Sequence, residues 1–288
     1  MFAFRTLDVF TRQPFGGNPL CVFPEARNIP EKHFQPIARE MNLSETVFVL
    51  PGKNHADYIL RIFTPARELA FAGHPIVGTA AALADILDFS ESGSLIFQVP
   101  AGDVPVTLRR DDDLWWAGFD LPRRPEEGPP PPPGAALAEA LGLEEGMLGT
   151  DFAGFSAGTP FLLIPLRSRE ALSHCRIQMQ AFEATLASYW APEIMPFFQE
   201  GTTIHARMFA PRLGIAEDPA TGGAAAALCG WLARKAKDGK HQYTMYQGQD
   251  MGRPSRIDLE FECKNGSVVS AQISGTSVPM SRGSLRIP

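Results

Sequence analysis

The chain has 288 residues, 44% of them hydrophobic, which is more than one domain usually needs and enough for substantial cores. Acidic residues outnumber basic ones by 32 to 26, and no basic block appears, which argues against nucleic acid or an anionic membrane as the main partner. The N-terminus lacks the pattern of a signal peptide, and no apolar stretch has the length of a membrane span. The four scattered cysteines are typical of reduced thiols, so a cytoplasmic protein is expected.

The first half of the chain is predicted to alternate strands with helices. Alternating or continuous apolar runs predict strands, and apolar residues at helical spacing predict helices. The predicted strands are residues 2–10, 19–24, 47–50, 58–64, 95–99, 104–109 and 115–121, and the predicted helices are 30–41 and about 75–89.

A proline-rich segment, 122–134, is predicted to separate two lobes. It contains five consecutive prolines, which favour a stiff extended spacer. We therefore expect an N-terminal lobe over residues 1–125 and a C-terminal lobe over 126–276. The last strand, about 277–288, is expected to pack back onto the first lobe.

The second half is predicted to be built in the same way. A central helix is expected to begin at the Gly-Gly-Ala run of residues 222–224 and to continue through Lys235. The other predicted helices are 135–141 and 179–189, and the predicted strands are about 150–156, 160–166, 202–209, 257–263, 268–273 and 284–287.

An internal repeat links the two halves. Residues 61–65 (Arg-Ile-Phe-Thr-Pro) recur as residues 207–211 (Arg-Met-Phe-Ala-Pro), an offset of 146 (207 − 61). Gly78 and its alanine run recur at Gly223, an offset of 145 (223 − 78). Gly17-Asn18-Pro19-Leu20 matches Gly158-Thr159-Pro160-Phe161 more weakly. Three matches in one order predict two related lobes rather than a solenoid, the alternative being chance similarity between two common strand-turn-helix units.

Each predicted central helix starts at glycines, near Gly73 in the first half and at Gly222 and Gly223 in the second. The free N–H groups of a helix start attract anions, so two such ends facing one cavity would suit a small carboxylate or a developing enolate. The alternative, that these glycines only permit close packing, remains open.

Other kinds of site are not supported. The loops lack a nucleotide-binding fingerprint, the six histidines show no metal-ligand spacing, and no Gly-x-Ser-x-Gly elbow is present. Neither a cofactor nor a metal is therefore predicted.

Three side chains are candidates for proton transfer or binding. Glu45 lies at a loop-to-strand junction among apolar and small neighbours, which suits a general acid and base, although a solvated carboxylate or a helix cap is an alternative. His74 lies in one helix start, and Asp218 precedes Pro219 just before the other. Either residue could instead cap or pack a helix.

Several ordered motifs give the chain a family resemblance. They are Leu7–Phe10 with residues 14–19 (Pro-Phe-Gly-Gly-Asn-Pro), 42–46 (Asn-Leu-Ser-Glu-Thr), 61–65 with 71–75 (Phe-Ala-Gly-His-Pro), 207–211, 217–222 (Glu-Asp-Pro-Ala-Thr-Gly) and 247–255 (Gln-Gly-Gln-Asp-Met-Gly-Arg-Pro-Ser). Over essentially its whole length the chain resembles the PhzF-like family, named for the phenazine-biosynthesis isomerase.

The resemblance implies an α+β fold like that of diaminopimelate epimerase. Its two pseudo-symmetric lobes would each be a curved sheet or open barrel around a central helix, with the active site in the cleft between them. It implies that Glu45 is the acid/base that moves a proton between carbons without a cofactor, and that His74 and Asp218 line the substrate site. Asn18, Gly73, Thr221, Gly222 and Gly223 would complete the cleft. The expected ligand is a small carboxylate, and the expected assembly is a homodimer.

The chain departs from related proteins at two points. Racemases of this fold use a cysteine at each central helix, whereas here Gly73-His74 and Thr221-Gly222-Gly223 occupy those positions. Gly223 stands where the family often has serine. The hydroxyl of that serine could hydrogen-bond the substrate, an interaction worth about 0.5–1.5 kcal/mol, so its loss argues against the phenazine precursor as the substrate. A binding protein without chemistry, and a cysteine-dependent epimerase using Cys229, remain the alternatives.

Overall fold

Seven strands of the first half, together with the last strand of the chain (Ser267–Leu285), form a closed barrel around one helix. The computed structural model describes residues 1–287. Strand pairs β1–β2, β3–β4, β6–β7 and β7–β8 are antiparallel, whereas β2–β3 and β4–β6 are parallel. The elements are β1 (Phe2–Val9), β2 (Asn18–Phe23), α1 (Phe34–Met41), β3 (Glu45–Pro51), β4 (Tyr58–Phe63), β5 (Glu68–Leu69), α2 (Gly73–Ile86), β6 (Ser92–Val99), β7 (Gly102–Asp111) and β8 (Leu114–Asp120).

The second half repeats this order of strands. Its elements are β9 (Glu126–Glu127), α3 (Gly134–Leu141), β10 (Ala153–Ser156), β11 (Pro160–Pro165), α4 (Arg169–His174), α5 (Met179–Leu186), β12 (Glu193–Glu200), β13 (Thr203–Ala206), β14 (Met208–Ala210), β15 (Ile215–Asp218), α6 (Gly222–Ala233), β16 (Gly239–Gln247), β17 (Ser255–Lys264) and β18 (Ser267–Leu285). Short 3₁₀ helices cover Glu31–His33, Glu145–Met147, Pro211–Leu213 and Gln249–Met251.

The strand pairings give the two halves the same topology. Pairs β10–β11, β12–β13, β16–β17 and β17–β18 are antiparallel, and β11–β12 and β13–β16 are parallel. The direction of each pair matches that of its counterpart in the first half. The prediction of an α+β protein with two pseudo-symmetric lobes, each a curved sheet around a central helix, is therefore confirmed.

Strand β18 joins the two lobes. Its first part pairs with β17, its middle with β8, and its last part, from Ser277 to Leu285, with β1. The sequence predicts two separate short strands here, over 268–273 and 284–287, whereas one strand of 19 residues covers the first and reaches Leu285 in the second. We propose that the lobes divide near residue 125, with the chain from about 277 returning to the first lobe. Pro288, the last residue of that predicted segment, lies outside the described residues.

The two central helices, α2 and α6, are buried on every side because they are rich in alanine and glycine. Small side chains let surrounding strands approach each helix closely, and one continuous apolar core includes residues of both helices. The helices meet at their N-termini. A Cβ atom added to Gly73 would lie 2.8 Å from the Cα atom of Gly222, so glycine is needed at this crossing.

The repeat is real, but one part of its sequence alignment is wrong. Arg61 forms a bidentate ion pair with Glu68 after β4, and Arg207 forms the equivalent pair with Glu217 after β14. These pairs confirm the match of residues 61–65 with 207–211. The second connection is longer, however, so the central helices align at an offset of 149 (222 − 73). Gly78 and Gly223 therefore occupy different turns of their helices.

Most other elements agree with the sequence-based predictions within a few residues, and the larger exceptions lie in the second half. The predicted strand 202–209 is interrupted at Arg207, which separates β13 from β14. The sequence did not predict α4, β12, β15 and most of β16, nor the two-residue strands β5 and β9. Within residues 1–287, no helix is both long and apolar enough to cross a bilayer.

Candidate active site

The side chains of Glu45 and His74 meet at the start of the first central helix. Glu45 is the first residue of β3, and His74 is the second residue of α2. Glu45 Oε2 lies 2.9 Å from His74 Nε2, and the residues are 7% and 4% exposed. The pair is too poorly aligned for a regular hydrogen bond, and neither atom has another hydrogen-bond partner within residues 1–287. Both atoms thus retain the capacity to bind a ligand.

Asn18 connects this pair to the second lobe. Its Nδ2 atom donates to Asp218 Oδ1 and to the carbonyl of Ala220, each at 2.9 Å, and lies 3.3 Å from His74 Nδ1. The two oxygen acceptors use both protons of the amide group, which fixes the orientation of the Asn18 side chain. Asn18 therefore lies against both His74 and Asp218 and holds the two side chains near each other.

Asp218 is the second buried carboxylate of the site. It ends β15, four residues before α6, and receives hydrogen bonds from Asn18 and from the hydroxyl of Thr221. Burial, reinforced by the negative charge of Glu45, raises the pKa of Asp218 to about 6. Asp218 does not cap α6, because the N-cap residue is Thr221 and no side chain caps this helix. The capping alternative for Asp218 is therefore wrong.

Both central helices begin in this site with their N–H groups uncapped by side chains. The N-cap residues, Ala72 and Thr221, make no side-chain cap hydrogen bond. Gly73 and Gly222 lie against each other, so two helix starts converge on one region beside Glu45 and Asp218. Free N–H groups and the positive ends of two helix dipoles together provide a binding site for a carboxylate or an enolate oxygen.

Gln247 stabilises the start of α6 through side-chain hydrogen bonds. The sequence analysis did not identify it as a site residue. Its side chain is completely buried; Nε2 donates to the carbonyl of Asp218 at 2.8 Å and to Thr221 Oγ1 at 2.9 Å. Its Oε1 accepts from the backbone N–H of Thr221 at 3.2 Å. The only sequence signal was its position at the head of the motif 247–255.

Arg253 performs a similar function between the lobes. Its guanidinium donates to the carbonyls of Gly16 and Gly17 at 2.7 and 2.8 Å and to Asp8 Oδ1 at 2.6 Å. These contacts hold the loop that precedes Asn18 against the second lobe. Because no spacing in the sequence connects positions so far apart, the role of Arg253 could not be predicted.

The remaining candidates occupy the second helix start. Thr221 lies beside Asp218, and Gly222 lies against Gly73, as described above. Gly223, the second residue of α6, is only partly buried, and a Cβ atom there would meet nothing nearer than Phe161 at 3.4 Å. The eight predicted site residues are thus brought together at one junction of the lobes.

The cysteine of the second central helix, Cys229, does not lie at the start of that helix. Cys229 is completely buried two turns into α6, where its thiol donates to the carbonyl of Ala225. Burial raises the pKa of Cys229 strongly, which disfavours the thiolate that an acid/base cysteine needs. Within residues 1–287, no group of three or more His, Cys, Asp and Glu side chains has the arrangement of a metal site.

Comparison with known families gives one match that spans nearly the whole chain. Residues 7–283 match the family model described as phenazine biosynthesis-like protein. An uncharacterized isomerase of Mesorhizobium japonicum is 40% identical, and the alignment covers 97% of each chain.

A second relative has a named activity. The trans-2,3-dihydro-3-hydroxyanthranilate isomerase of Pseudomonas fluorescens is 33% identical, with 99% of each chain covered. Among solved structures, a phenazine biosynthesis protein of the PhzF family from Bacillus anthracis superposes with a TM-score of 0.89 over 99% of each chain. At 24% identity, this last similarity concerns the fold alone.

Proposed function

The chain belongs to the family of phenazine biosynthesis-like proteins and is an isomerase, and on that premise we propose that Glu45 is its acid/base catalyst. In this proposal Glu45 takes a proton from one carbon of a small carboxylate-bearing substrate and delivers a proton to another carbon, and between the two steps its carboxyl proton can exchange with solvent. No other reactant is consumed, and no cofactor takes part.

The observation that carries the proposal is the unsatisfied Glu45–His74 pair. A buried carboxylate is costly unless its oxygens are hydrogen-bonded, yet Glu45 Oε2 has only the poorly aligned His74 Nε2 at 2.9 Å. A carbon acid placed against this oxygen would find a base held in a low-dielectric environment. The His74 imidazole beside it would orient the carboxylate.

The helix starts would supply the negative-charge stabilisation that carbon–hydrogen cleavage needs. Removing a proton next to a carboxylate or a conjugated double bond places charge on the substrate oxygens. The N–H groups near Gly73 and Gly222 lie beside Glu45, so substrate oxygens bound there would present a neighbouring carbon to that residue. His74, Asn18 and Asp218 would then orient the base and the substrate.

A deuterium-exchange experiment tests the proposal. The first compound to offer is trans-2,3-dihydro-3-hydroxyanthranilate, the substrate named for the Pseudomonas relative, followed by other small unsaturated carboxylates. The reaction is run in deuterated water and followed by proton NMR for label at carbon. Wild-type protein and the control variant Glu40→Gln, which changes an exposed carboxylate on α1, are expected to give label, and Glu45→Gln is expected to give none. Equal labelling by Glu45→Gln would refute the assignment.

A further inference from the structure

A buried arginine, Arg207, holds the segment that leads into the second central helix. Its guanidinium donates two parallel hydrogen bonds to Glu217, from Nε to Oε1 and from Nη2 to Oε2, each at 2.8 Å. The guanidinium carbon also lies over the ring of Phe209, 4.9 Å from its centre. Glu217 stands five residues before Gly222, where α6 begins (222 − 217). The ion pair therefore fixes the backbone shortly before the helix start.

The first lobe contains the equivalent pair. Arg61 forms its bidentate ion pair with Glu68, and its guanidinium carbon lies 5.6 Å from the centre of the Phe63 ring. Glu68 stands five residues before Gly73, the first residue of α2 (73 − 68). The distance along the chain from glutamate to helix start is thus the same in both lobes. Because the same pair recurs before both helix starts, we connect it with the site that these helix starts form.

The pair of the second lobe is the more deeply buried of the two. The side chain of Arg207 is 6% exposed, whereas that of Arg61 is 26% exposed. The Nη1 atom of Arg207 also donates to the carbonyls of Leu172 and Cys175, at 3.2 and 2.9 Å, where α4 ends. Arg207 thereby connects the end of α4 with β15, so a change of this side chain acts on both segments.

Strand β15 ends in Asp218 and has little backbone pairing to hold it in place. It pairs with β14 at two positions, and the register shifts between them. Successive side chains of a strand point to opposite faces, so Asp218 faces the site and Glu217 faces Arg207. Asn18 and Thr221 hold the Asp218 carboxylate on the side of the site. The pair of Arg207 with Glu217 holds the same strand from the other side.

We propose that Arg207 is a positioning residue of the isomerase site, whose pair with Glu217 sets where Asp218 and the first N–H groups of α6 lie relative to Glu45. This inference rests on the proposed isomerase site but not on Glu45 being its base. Lysine in place of Arg207 would keep the positive charge but could not donate two parallel hydrogen bonds to one carboxylate. Without them β15 and the helix start can shift, and catalysis is sensitive to small shifts of the groups that orient a substrate.

The titration of Asp218 reports its position. Burial and the charge of Glu45 raise the pKa of Asp218, whereas the charge of His74 and the hydrogen bonds from Thr221 and Asn18 lower it. A shift of β15 would weaken these two hydrogen bonds, which favour the charged carboxylate, so the pKa of Asp218 should rise further. A protein that is only less stable, but still folded at the temperature of the measurement, would keep the same pKa.

Carbon-13 NMR of protein labelled at its aspartate carboxyl groups measures this titration, and the Asp218 signal is the one absent from Asp218→Asn. The wild-type midpoint is expected at about pH 6. Arg207→Lys is expected to raise this midpoint by at least about 0.5 pH unit and to lower the turnover number for deuterium exchange roughly tenfold. Glu217→Gln, which leaves the contacts of Arg207 with α4 in place, is expected to act in the same way. Because the titration needs no substrate, failure of the proposed isomerase reaction would leave its result unaffected.

Arg234→Lys is the matched control. Arg234 pairs with Glu127 and Asp151 at the opposite end of α6, each at 3.0 Å, so this variant is expected to melt at a lower temperature with an unchanged Asp218 midpoint. An unmoved midpoint in both Arg207→Lys and Glu217→Gln would overturn the proposal, whatever their turnover. Loss of folded protein in both variants would also overturn it, because the pair would then serve the stability of the fold. An equal shift in Arg234→Lys would count against it as well.

Discussion

The contact between Gly73 and Gly222 predicts that a single methyl group at residue 73 disturbs both lobes. A Cβ atom at residue 73 would lie 2.8 and 2.9 Å from the Cα and carbonyl carbon atoms of Gly222, where ordinary contacts begin near 3.4 Å. The helix starts must therefore separate by about 0.6 Å (3.4 − 2.8) in Gly73→Ala. Overpacking of this kind costs about 1–3 kcal/mol, or a melting temperature lower by roughly 2 °C or more.

The same shift should slow catalysis, because it moves the oxyanion-binding N–H groups away from Glu45. A misplacement near 1 Å can cost about a hundredfold in rate, so we expect Gly73→Ala to be roughly ten- to a hundredfold slower. Melting curves and the deuterium-exchange rate are the assays. Gly223→Ala, which introduces only ordinary contacts in the equivalent helix, is the stability control, and Gly146→Ala, which meets nothing within 4 Å, is the activity control. A Gly73→Ala protein with unchanged stability and rate would refute the reasoning.

Three further predictions concern charged and thiol groups. The exchange rate is expected to fall below about pH 6 as Asp218 becomes protonated, and Asp218→Asn is expected to lack this inflection; its persistence would exclude Asp218 as the source. Cys229→Ala, with the buried thiol removed, is expected to keep exchange activity, and inactivation would revive the cysteine-dependent alternative. Burial raises the pKa of Glu193 in the folded protein above its ordinary value of 4.5. At pH values between the pKa of the unfolded chain and that of the folded protein, the folded state binds more protons, so the free energy of unfolding falls as the pH rises through this range. Glu193→Gln is therefore expected to melt above the wild type at neutral pH and close to it at about pH 4, and a pH-independent difference would contradict this.

The sequence was sufficient to predict those elements whose pattern lies within a short stretch of the chain. Alternation and helical spacing located most strands and both central helices, because these elements bury one strongly apolar face or are apolar on all sides. The motif Arg-x-Phe-x-Pro exposed the duplication, and its arginines prove to form equivalent ion pairs with Glu68 and Glu217.

Features that depend on contacts between residues far apart in the sequence could not be predicted from the sequence. Strand β12 was missed because Pro196 interrupts an apolar run, and proline is uncommon inside strands. The misalignment of Gly78 with Gly223 had a related cause, since the longer connection in the second lobe displaced the glycines that actually correspond.

The same distinction between local patterns and distant contacts applies to the candidate active site. Glu45, His74 and Asp218 were named from motifs, but their meeting depends on Asn18, which reaches from one lobe to Asp218 of the other. Gln247 and Arg253 act through hydrogen bonds to backbone groups, which leave no trace in residue spacing.

The most direct test of the central claim combines exchange and binding in Glu45→Gln. General acid–base catalysis contributes about 10²–10⁴-fold, so the rate at which label enters carbon should fall at least a hundredfold in this variant. Affinity for an unreactive carboxylate should change little, because the helix starts at Gly73 and Gly222 remain in place. A variant that binds normally and no longer exchanges is the predicted result. A variant that exchanges at the wild-type rate would contradict the account.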